Sequence, residues 1–338
     1  MPEVIGDNID RLVTVEMRSQ GIVRGNIVQL YDAARARIGR SLVLEAATRL
    51  REAITPGSSV IITTGAGSWP WMPNGETDGP PGAASLARAI SLGLGGRPII
   101  ISEQEKLPGI VASCRAIGLA VVDARTLKAR TGAVMVLPFT TEESEARVEA
   151  QKLLDEWDPS AVIAIEKLGP NAKGEFHSLQ GFNTSAEAAK VQHLFTLAAE
   201  REILTIGVGD GGNEIGCGLI YEETRRIMPA GSVCRCPCGD GMATAISTDS
   251  LVIATTSNWG AYGISACLAF LLKDPSLLQD APTERRMIEQ CALSGAADGM
   301  SGLPVPWVDG TNLEVQEAMV AMLGMIVANG IKTIARPF

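Results

Sequence analysis

Seven short runs of β-branched and other apolar residues recur along the chain, and they constrain its fold more than any other feature. Each run is continuous and does not alternate with polar residues, which is typical of strands buried on both faces. Stretches rich in Ala, Leu, Glu and Arg with helical spacing lie between most of them. This alternation predicts an α/β fold with a doubly wound, mostly parallel sheet and helices on both faces. The predicted strands cover residues 59–64, 98–102, 119–122, 133–137, 161–165, 203–207 and 251–255.

The helical stretches indicate how the chain is organised. We expect two parts: a helical N-terminal segment over residues 1–58, packed on the core, and a single α/β catalytic domain over residues 59–338. No Pro- or Ser-rich linker marks a sharper boundary between them. Within and between these parts, the clearest predicted helices cover residues 40–53, 83–94, 143–157 and 186–200.

The charge balance narrows the class of partner. The 338-residue chain has a formal net charge of −9 and no basic block. Such a chain is a poor match for nucleic acid or an anionic membrane surface. We therefore expect neither nucleic acid nor a membrane as its partner.

Cysteine usage and the ends of the chain indicate a compartment and an assembly state. The seven cysteines are odd in number, and the first residues show no basic region followed by an apolar run. Both features favour reduced thiols and a cytoplasmic location. The apolar stretch 318–328 is 11 residues long, too short to span a bilayer. It suits a buried or subunit-facing helix, so we expect a homodimer or higher homo-oligomer.

Polar residues concentrate in four segments that directly follow predicted strands. The carboxyl ends of parallel strands meet at one edge of a sheet, and ligands bind there. The sequence therefore predicts one site assembled from four loops. These segments are residues 65–83, 166–177, 208–218 and 256–263.

The glycine-rich segment 208–218 has the highest concentration of candidate catalytic residues. Asp210, Asn213 and Glu214 combine two carboxylates with an amide, which suits an amine, a metal ion or proton transfer. The backbone N–H groups of Gly211 and Gly212 are candidate donors to a developing oxyanion. The alternative is a plain glycine-rich turn with a capping Asp.

The same segment also satisfies a dinucleotide-binding fingerprint. Gly207, Gly209 and Gly212 follow a strand with the spacing GxGxxG. Asp210, however, would lie where the pyrophosphate binds and would repel it. We therefore expect no NAD or FAD in this loop.

The segment after the strand 161–165 adds further candidates. Glu166 leaves a buried strand directly, so it is either a rigidly held catalytic carboxylate or a surface ion pair with Lys167. Asn171 and His177 follow in the same loop as substrate-binding and catalytic candidates, respectively. The second histidine, His193, lies in a helical run and is interpreted as packing.

Two more segments supply candidate substrate-binding residues. Glu76 and Asp78 precede a predicted helix. They either bind a substrate near the start of this helix or only place negative charge at its N-terminus. Asn258 and Trp259 open the helix that follows the last strand. The alternative for Asn258 is an N-cap.

Three cysteines form a CxCxC pattern at Cys234, Cys236 and Cys238. Structural zinc sites usually use CxxC pairs with a second Cys or His cluster nearby, and no such cluster follows here. A redox role or simple burial is the expectation for these thiols.

Five motifs together resemble the D-glutamate cyclase family, which also occurs as the C-terminal domain of a larger vertebrate mitochondrial protein. They are GETDGPPGA, EKLGPNAKGEFHSLQG, GVGDGGNEIGCG, TSNWGAYG and DGMSG, and the resemblance runs from about Gly21 to Leu323. The chain departs from the family patterns at Cys217, where Met is usual, and at Phe176, where Tyr is usual. The stretch AGSWPWMPN and the motif CRCPC are also unusual.

The resemblance implies a small amino-acid substrate and the cyclisation of D-glutamate to 5-oxo-D-proline with loss of water. A carboxylate such as Glu214 or Asp210 would take the proton from the α-amine. The scheme requires no cofactor, although a divalent metal on Asp210, Glu214 or Glu166 is possible. The alternatives are a related lactam-forming or lactam-opening enzyme on another small amino acid, a dinucleotide-dependent oxidoreductase, and a non-catalytic amino-acid-binding protein.

Overall fold

The computed structural model describes residues 2–17 and 25–333. Seven strands form one sheet in which every pairing is parallel. All seven predicted strands are present, so the α/β fold is confirmed. They are β1 (Ser59–Thr64), β2 (Arg97–Ser102), β3 (Ala120–Val121), β4 (Ala133–Pro138), β5 (Ala161–Ile165), β6 (Leu204–Gly209) and β7 (Ser250–Ile253).

The order of the strands fixes where a ligand can bind. Across the sheet the order is β3-β4-β2-β1-β5-β6-β7. The chain therefore leaves β1 toward β2 on one side and later returns to pair β5 on the other side. The carboxyl ends of β1 and β5 flank this reversal, which is the position where open α/β sheets bind ligands.

Helices cover the sheet and form its N-terminal extension. They are α1 (Pro2–Val13), α2 (Asn26–Ile38), α3 (Leu42–Ala53), α4 (Pro80–Ala89), α5 (Leu107–Ala116), α6 (Ala124–Ala129), α7 (Glu143–Trp157), α8 (Gln192–Glu200), α9 (Tyr221–Ile227), α10 (Ser257–Leu272), α11 (Ala281–Leu293) and α12 (Leu313–Ile331).

Two predicted helices differ from the structure at one end. The helix expected over 83–94 begins earlier, because two prolines occupy the first turn of α4, and it ends in a wider π-helical turn over Ile90–Leu94. The helix expected over 186–200 begins only at Gln192. Before that point, the backbone N–H groups of Ala189 and Lys190 donate to Glu103 and to the Thr140 carbonyl, so they are not available for a helical turn.

Along β1, β2, β4 and β5, the side chains alternate between two apolar layers. Val60 and Ile62 of β1 belong to the larger layer, which includes residues of α1–α5 and α10–α12, whereas Ile61 belongs to the layer with α7 and α8. Both layers exclude solvent from the sheet. This arrangement explains why the strands read as continuous apolar runs.

The N-terminal helices are anchored to the main sheet by buried polar contacts. Asp10 accepts hydrogen bonds from the backbone N–H groups of Leu42 and Val43 at the start of α3. The backbone N–H of Thr255, just after β7, donates to the carbonyl of Val13. Over residues 2–17 and 25–58 the predicted N-terminal segment is helical and packs on the core, while residues 1 and 18–24 of it lie outside the described residues. The boundary at residue 58 and the single catalytic domain over 59–338 stay predictions.

Helix α12 is longer than the 11-residue apolar stretch seen in the sequence. It spans 19 residues, and by length and composition alone it is apolar enough to cross a membrane, with 28% of that window buried. One stripe of it packs inward through Gln316, Met319, Val320 and Leu323. A core helix of a globular domain passes the same test, so the expectation of no membrane partner stays a prediction.

Candidate active site

A pocket of about 100 Å³ opens at the carboxyl edge of the sheet, beside the reversal between β1 and β5. An apolar cavity of about 150 Å³ holds one benzene molecule, so this space suits a small ligand. Three of the four predicted loops form its wall, together with a segment before α12. The lining residues are Ala66, Gly67, Ser68, Met72, Glu76, Glu166, Leu168, Ser178, Leu179, Gln180, Thr184, Asp210, Asn213, Gly299, Met300 and Asp309.

Glu166 lines this pocket in a strained conformation. Its φ of 47° is in the left-handed region, which costs a non-glycine residue of order 1–3 kcal/mol. The hydroxyl of Ser257 donates to its Oε2 across 2.6 Å. Burial, together with the negative charges of Asp210 and Glu214, raises the pKa of Glu166 well above its usual value. Glu166 is therefore a buried acid that carries a proton more readily than an exposed Glu does.

Glu76 faces the same pocket from the loop after β1. Burial, followed by the charges of Asp309 and Asp78, raises its pKa well above the usual value, although Lys106 acts in the opposite direction. Asp309, which sequence reasoning did not single out, lines the pocket with a φ of 49°. The backbone strain at Asp309 has no signature in a single sequence.

Asp210 and Asn213 of the glycine-rich loop also reach the pocket wall. The Asn213 side chain donates through Nδ2 to the carbonyl of His177 across 2.9 Å. Its buried Oδ1 has no hydrogen-bond partner within the described part of the chain. A free acceptor of this kind, beside carboxylates, suits an ammonium group.

Glu214 occupies a different position from the one predicted. It is fully buried, and it is not among the residues that line the pocket. Its two carboxylate oxygens accept the backbone N–H groups of Gly211 and Gly212 across 3.0 Å and 2.8 Å. These N–H groups, predicted as donors to an oxyanion or available to a pyrophosphate, are thus already paired. Glu214 holds the glycine-rich loop in shape.

Asp78 and Asn258 join two helix starts behind the pocket. The carboxylate of Asp78 accepts the backbone N–H groups of Ser257 and Asn258 across 2.8 Å and 2.7 Å. The Asn258 side chain accepts from the N–H of Gly82 across 2.7 Å and donates to the Thr77 carbonyl. Neither residue lines the pocket, and the N-cap of α10 is Thr256, not Asn258.

Trp259 is not brought to the pocket either. It is fully buried in the core, and its indole N–H donates to Gln316 of α12 across 2.7 Å. The fourth predicted segment therefore supports the pocket from behind, and its Ser257 contacts the pocket carboxylate Glu166.

Behind the pocket, Lys167 is buried and is not part of a surface pair. It contacts Glu103 across 2.5 Å, and Lys106 contacts the same carboxylate across 3.2 Å. Burial lowers the pKa of Lys167 to about 8. The sequence placed Lys167 next to Glu166 but gave no sign that Glu103, 64 residues earlier, is its partner.

Asp210 belongs to two groups of three carboxylates, and in each group the carboxylates are close enough to bind one cation. In each group, one oxygen from each residue lies within 4.8 Å of the others. Hard oxygen ligands of this kind suit Mg²⁺ or Mn²⁺. The groups are Asp78, Asp210 and Asp309, and Glu166, Asp210 and Glu214.

His177 and Asn171 face three thiols and do not line the pocket. The Nε2 atom of His177 lies 3.2 Å from the Sγ of Cys236. Asn171 donates to the Gly241 carbonyl across 2.8 Å and contacts the Sγ of Cys238 across 3.4 Å. The structure thus gathers Glu76, Glu166, Asp210 and Asn213 at the pocket and separates His177 and Asn171 from them.

The fold and the pocket define an α/β protein with a candidate ligand pocket, lined by carboxylates, at the reversal of the sheet. The chain belongs to the family described as D-glutamate cyclase-like, C-terminal, whose model matches residues 30–324. It is 30% identical over 256 residues to the human protein D-glutamate cyclase, mitochondrial. That alignment covers 71% of this chain and 37% of the relative, so the chain spans little more than a third of that protein's length.

Proposed function

We propose that this chain is an enzyme that cyclises D-glutamate to 5-oxo-D-proline. The α-nitrogen forms a bond to the γ-carboxyl carbon, one γ C–O bond breaks, and that oxygen leaves as water with two protons from the ammonium group. The ring closes within one molecule, so holding glutamate in a folded conformation supplies much of the rate. Membership of the family and the size of the pocket support this proposal.

The position of Glu166 is the observation that carries the proposal. A base must take a proton from the ammonium group, and an acid must give one to the leaving oxygen. A buried carboxyl with a raised pKa can do both in turn, because it holds a proton more readily than an exposed carboxyl and can still release it. Glu166 lines the pocket and meets this requirement. In Glu214, by contrast, both carboxylate oxygens already accept hydrogen bonds from backbone N–H groups of its own loop.

The remaining pocket residues fit roles in binding. Asp210 and the Asn213 Oδ1 atom would accept hydrogen bonds from the ammonium group. A protonated Glu76 would donate to a substrate carboxylate and would avoid like-charge repulsion. A divalent cation on the carboxylates around Asp210 would offset the charge of the substrate and polarise its γ-carboxyl group.

Incubation of the full chain with D-glutamate, followed by chiral separation of 5-oxoproline, tests the proposal. L-Glutamate is the matched control, and addition of Mn²⁺, Mg²⁺ or EDTA tests the cation. Formation of 5-oxo-D-proline that depends on Glu166 is the expected result. Absence of product under all of these conditions would overturn the proposal.

A second candidate is a related lactam-forming or lactam-opening reaction on another small amino acid. It is favoured by Ser68 and Met72, which line the pocket within a loop that departs from the family pattern. A panel of D-amino acids and their lactams in the same assay separates the two candidates. Ligand binding without turnover would instead indicate a binding protein, and titration with NAD tests the oxidoreductase alternative.

A further inference from the structure

Three thiols and one imidazole converge on a single point outside the pocket. The Sγ of Cys234 lies 3.5 Å from that of Cys236 and 3.3 Å from that of Cys238. The Nε2 of His177 lies 3.2 Å from the Sγ of Cys236 and 3.8 Å from that of Cys238. One ligand atom from each of the four residues lies within 4.8 Å of all the others.

We propose that His177, Cys234, Cys236 and Cys238 bind one Zn²⁺ ion as a Cys₃His structural site. This set of ligands is one of those that closed, four-coordinate zinc sites use. The sequence pattern hid the site, because the fourth ligand precedes the cysteines by 57 residues or more and belongs to another loop.

The distances fit one metal ion. A tetrahedral zinc with Zn–S of about 2.3 Å and Zn–N of about 2.0 Å places two sulfur ligands about 3.8 Å apart, and sulfur and nitrogen about 3.5 Å apart. The two observed S···N separations, 3.2 Å and 3.8 Å, lie on either side of the sulfur–nitrogen value. The two observed S···S separations, 3.5 Å and 3.3 Å, are slightly shorter than the sulfur–sulfur value, so a small outward shift of the thiols would admit the ion. An iron–sulfur cluster needs room for several atoms between its cysteines, and a group that spans at most 4.8 Å does not leave it.

The backbone around the thiols is shaped to bring them together. In an extended strand, alternate residues lie on one face about 6–7 Å apart. Here the chain curls: the N–H of Gly239 donates to the Cys236 carbonyl, and Gly239 and Gly241 have φ values of 65° and 79°. The three sulfur atoms therefore point to one centre and not along a line.

The imidazole is also committed to this centre. His177 is fully buried, and its Nε2 contacts the thiols of Cys236 and Cys238. Its Nδ1 has no hydrogen-bond partner among the residues that the structure describes. A buried imidazole without another polar anchor is well placed as a ligand, since a metal bond would fix its ring.

The zinc site would join two loops and set one wall of the pocket. Ser178, Leu179 and Gln180, which follow His177 directly, line the pocket. The carbonyl of His177 accepts a hydrogen bond from the side-chain Nδ2 of Asn213, another lining residue. The metal would therefore fix the position of this pocket wall without contacting the substrate. His177 would be a metal ligand and not a catalytic residue.

Metal analysis of the full chain, expressed in zinc-supplemented medium without a polyhistidine tag, tests the site. About one zinc ion per chain is expected. Cys236→Ser and His177→Asn should lower the zinc content about tenfold or more. Cys114→Ala and His193→Asn are matched controls that change the same residue types outside the cluster and should retain zinc.

Cobalt replacement tests the site without any variant. After removal of zinc, Co²⁺ added to the wild-type chain should give the visible absorption of tetrahedral cobalt and the ultraviolet band of thiolate ligands. Alkylation followed by peptide mapping should show Cys234, Cys236 and Cys238 protected with zinc and reactive after chelation. Absence of zinc and of the cobalt bands, retention of zinc in both ligand variants, or a disulfide among these three cysteines in the freshly purified protein would overturn the proposal.

Discussion

Ser257 donates its hydroxyl to Glu166 across 2.6 Å, and so joins the first residue of α10 to the residue that follows β5. The contact fixes one oxygen of Glu166 and leaves the group on the pocket wall. Because Ser257 belongs to a helix whose start is held by Asp78, the carboxyl that we assign to proton transfer rests on a rigid support.

Glu166→Gln tests the assignment of the acid–base group. Gln keeps the size of the side chain and can still accept from Ser257, but it cannot carry a proton. We expect kcat for 5-oxo-D-proline formation to fall by about 10²–10⁴, with an unchanged unfolding midpoint. The exposed Glu156→Gln is the control. Turnover within a few-fold of wild type would move the role to Asp210 or Glu76.

Glu214→Gln should mainly destabilise the protein, whereas a role of Glu214 as the base would predict mainly a loss of turnover. An amide has one acceptor oxygen, so either Gly211 or Gly212 would lose its partner. A buried unpaired N–H costs about 1–3 kcal/mol. Urea unfolding measures the loss. Wild-type stability together with a hundredfold loss of kcat would return the role of base to Glu214.

Glu284 should make stability depend on pH. Burial raises its pKa to about 7 from its ordinary value of 4.5. A raised carboxyl pKa means that the folded state binds the proton more tightly. Its contribution is therefore complete below about pH 4.5 and is lost as the pH rises through about 7.

Comparison of wild type with Glu284→Gln isolates this effect. In the variant, the oxygen of the new amide can still accept the hydrogen bond from Tyr262. Its NH₂ group then faces Gln279, whose amide can turn so that the Gln279 oxygen accepts. The turned Gln279 amide donates to Ser85, whose hydroxyl can accept instead of donating. Between pH 5 and pH 8 the wild type should lose about 2–3 kcal/mol more unfolding free energy than the variant. Parallel curves for the two proteins would show that Glu284 does not titrate in this range.

Gly207→Ala should prevent the glycine-rich loop from folding back on its own strand. A Cβ at Gly207 would lie 2.4 Å from the carbonyl oxygen of Ile215 and 2.6 Å from the Cα of Gly216, both backbone atoms. We expect a large loss of soluble, folded protein. Gly324→Ala, in α12 and without a neighbour within 4 Å, is the matched control. It should be neutral or gain up to about 1 kcal/mol from helix propensity. Equal stability of the two variants would contradict the crowding at Gly207.

The predicted homo-oligomer can be tested on α12. Met322 and Met325 are 48% and 60% exposed on the face of α12 that does not pack inward. Light scattering at micromolar concentration should give a dimer mass or higher, and Met325→Lys should lower it, because a charge at an apolar contact is unfavourable. A monomer mass for the wild type would rule out this assembly.

The sequence alone was sufficient to predict the sheet and the edge of the sheet at which the pocket lies. Continuous apolar runs require strands covered on both faces, and the polar loops after them must then share one edge. Glu166, Glu76 and Asp210 followed from that geometry alone. These inferences needed only local periodicity and the rule for parallel strands.

The partners of the site residues could not be predicted in the same way. The role of Glu214 depends on the backbone N–H groups of its own loop, and the role of His177 depends on the thiols of distant cysteines. His177 meets cysteines 57 to 61 residues away, and Lys167 meets Glu103 across a different loop. Such contacts are set by tertiary packing, which leaves no periodic trace in the sequence.

The crowding beneath the pocket restricts where this scaffold can acquire a new specificity. A side chain at Gly209 would meet Glu214, and one at Gly211 would meet Leu179, so the floor admits almost no variation. Ser68, Met72, Gln180 and Met300 also line the pocket, and each of them is partly or fully exposed. Directed evolution toward other amino acids should therefore accumulate changes at these rim positions, and a library that spares the glycines would contain far more folded members.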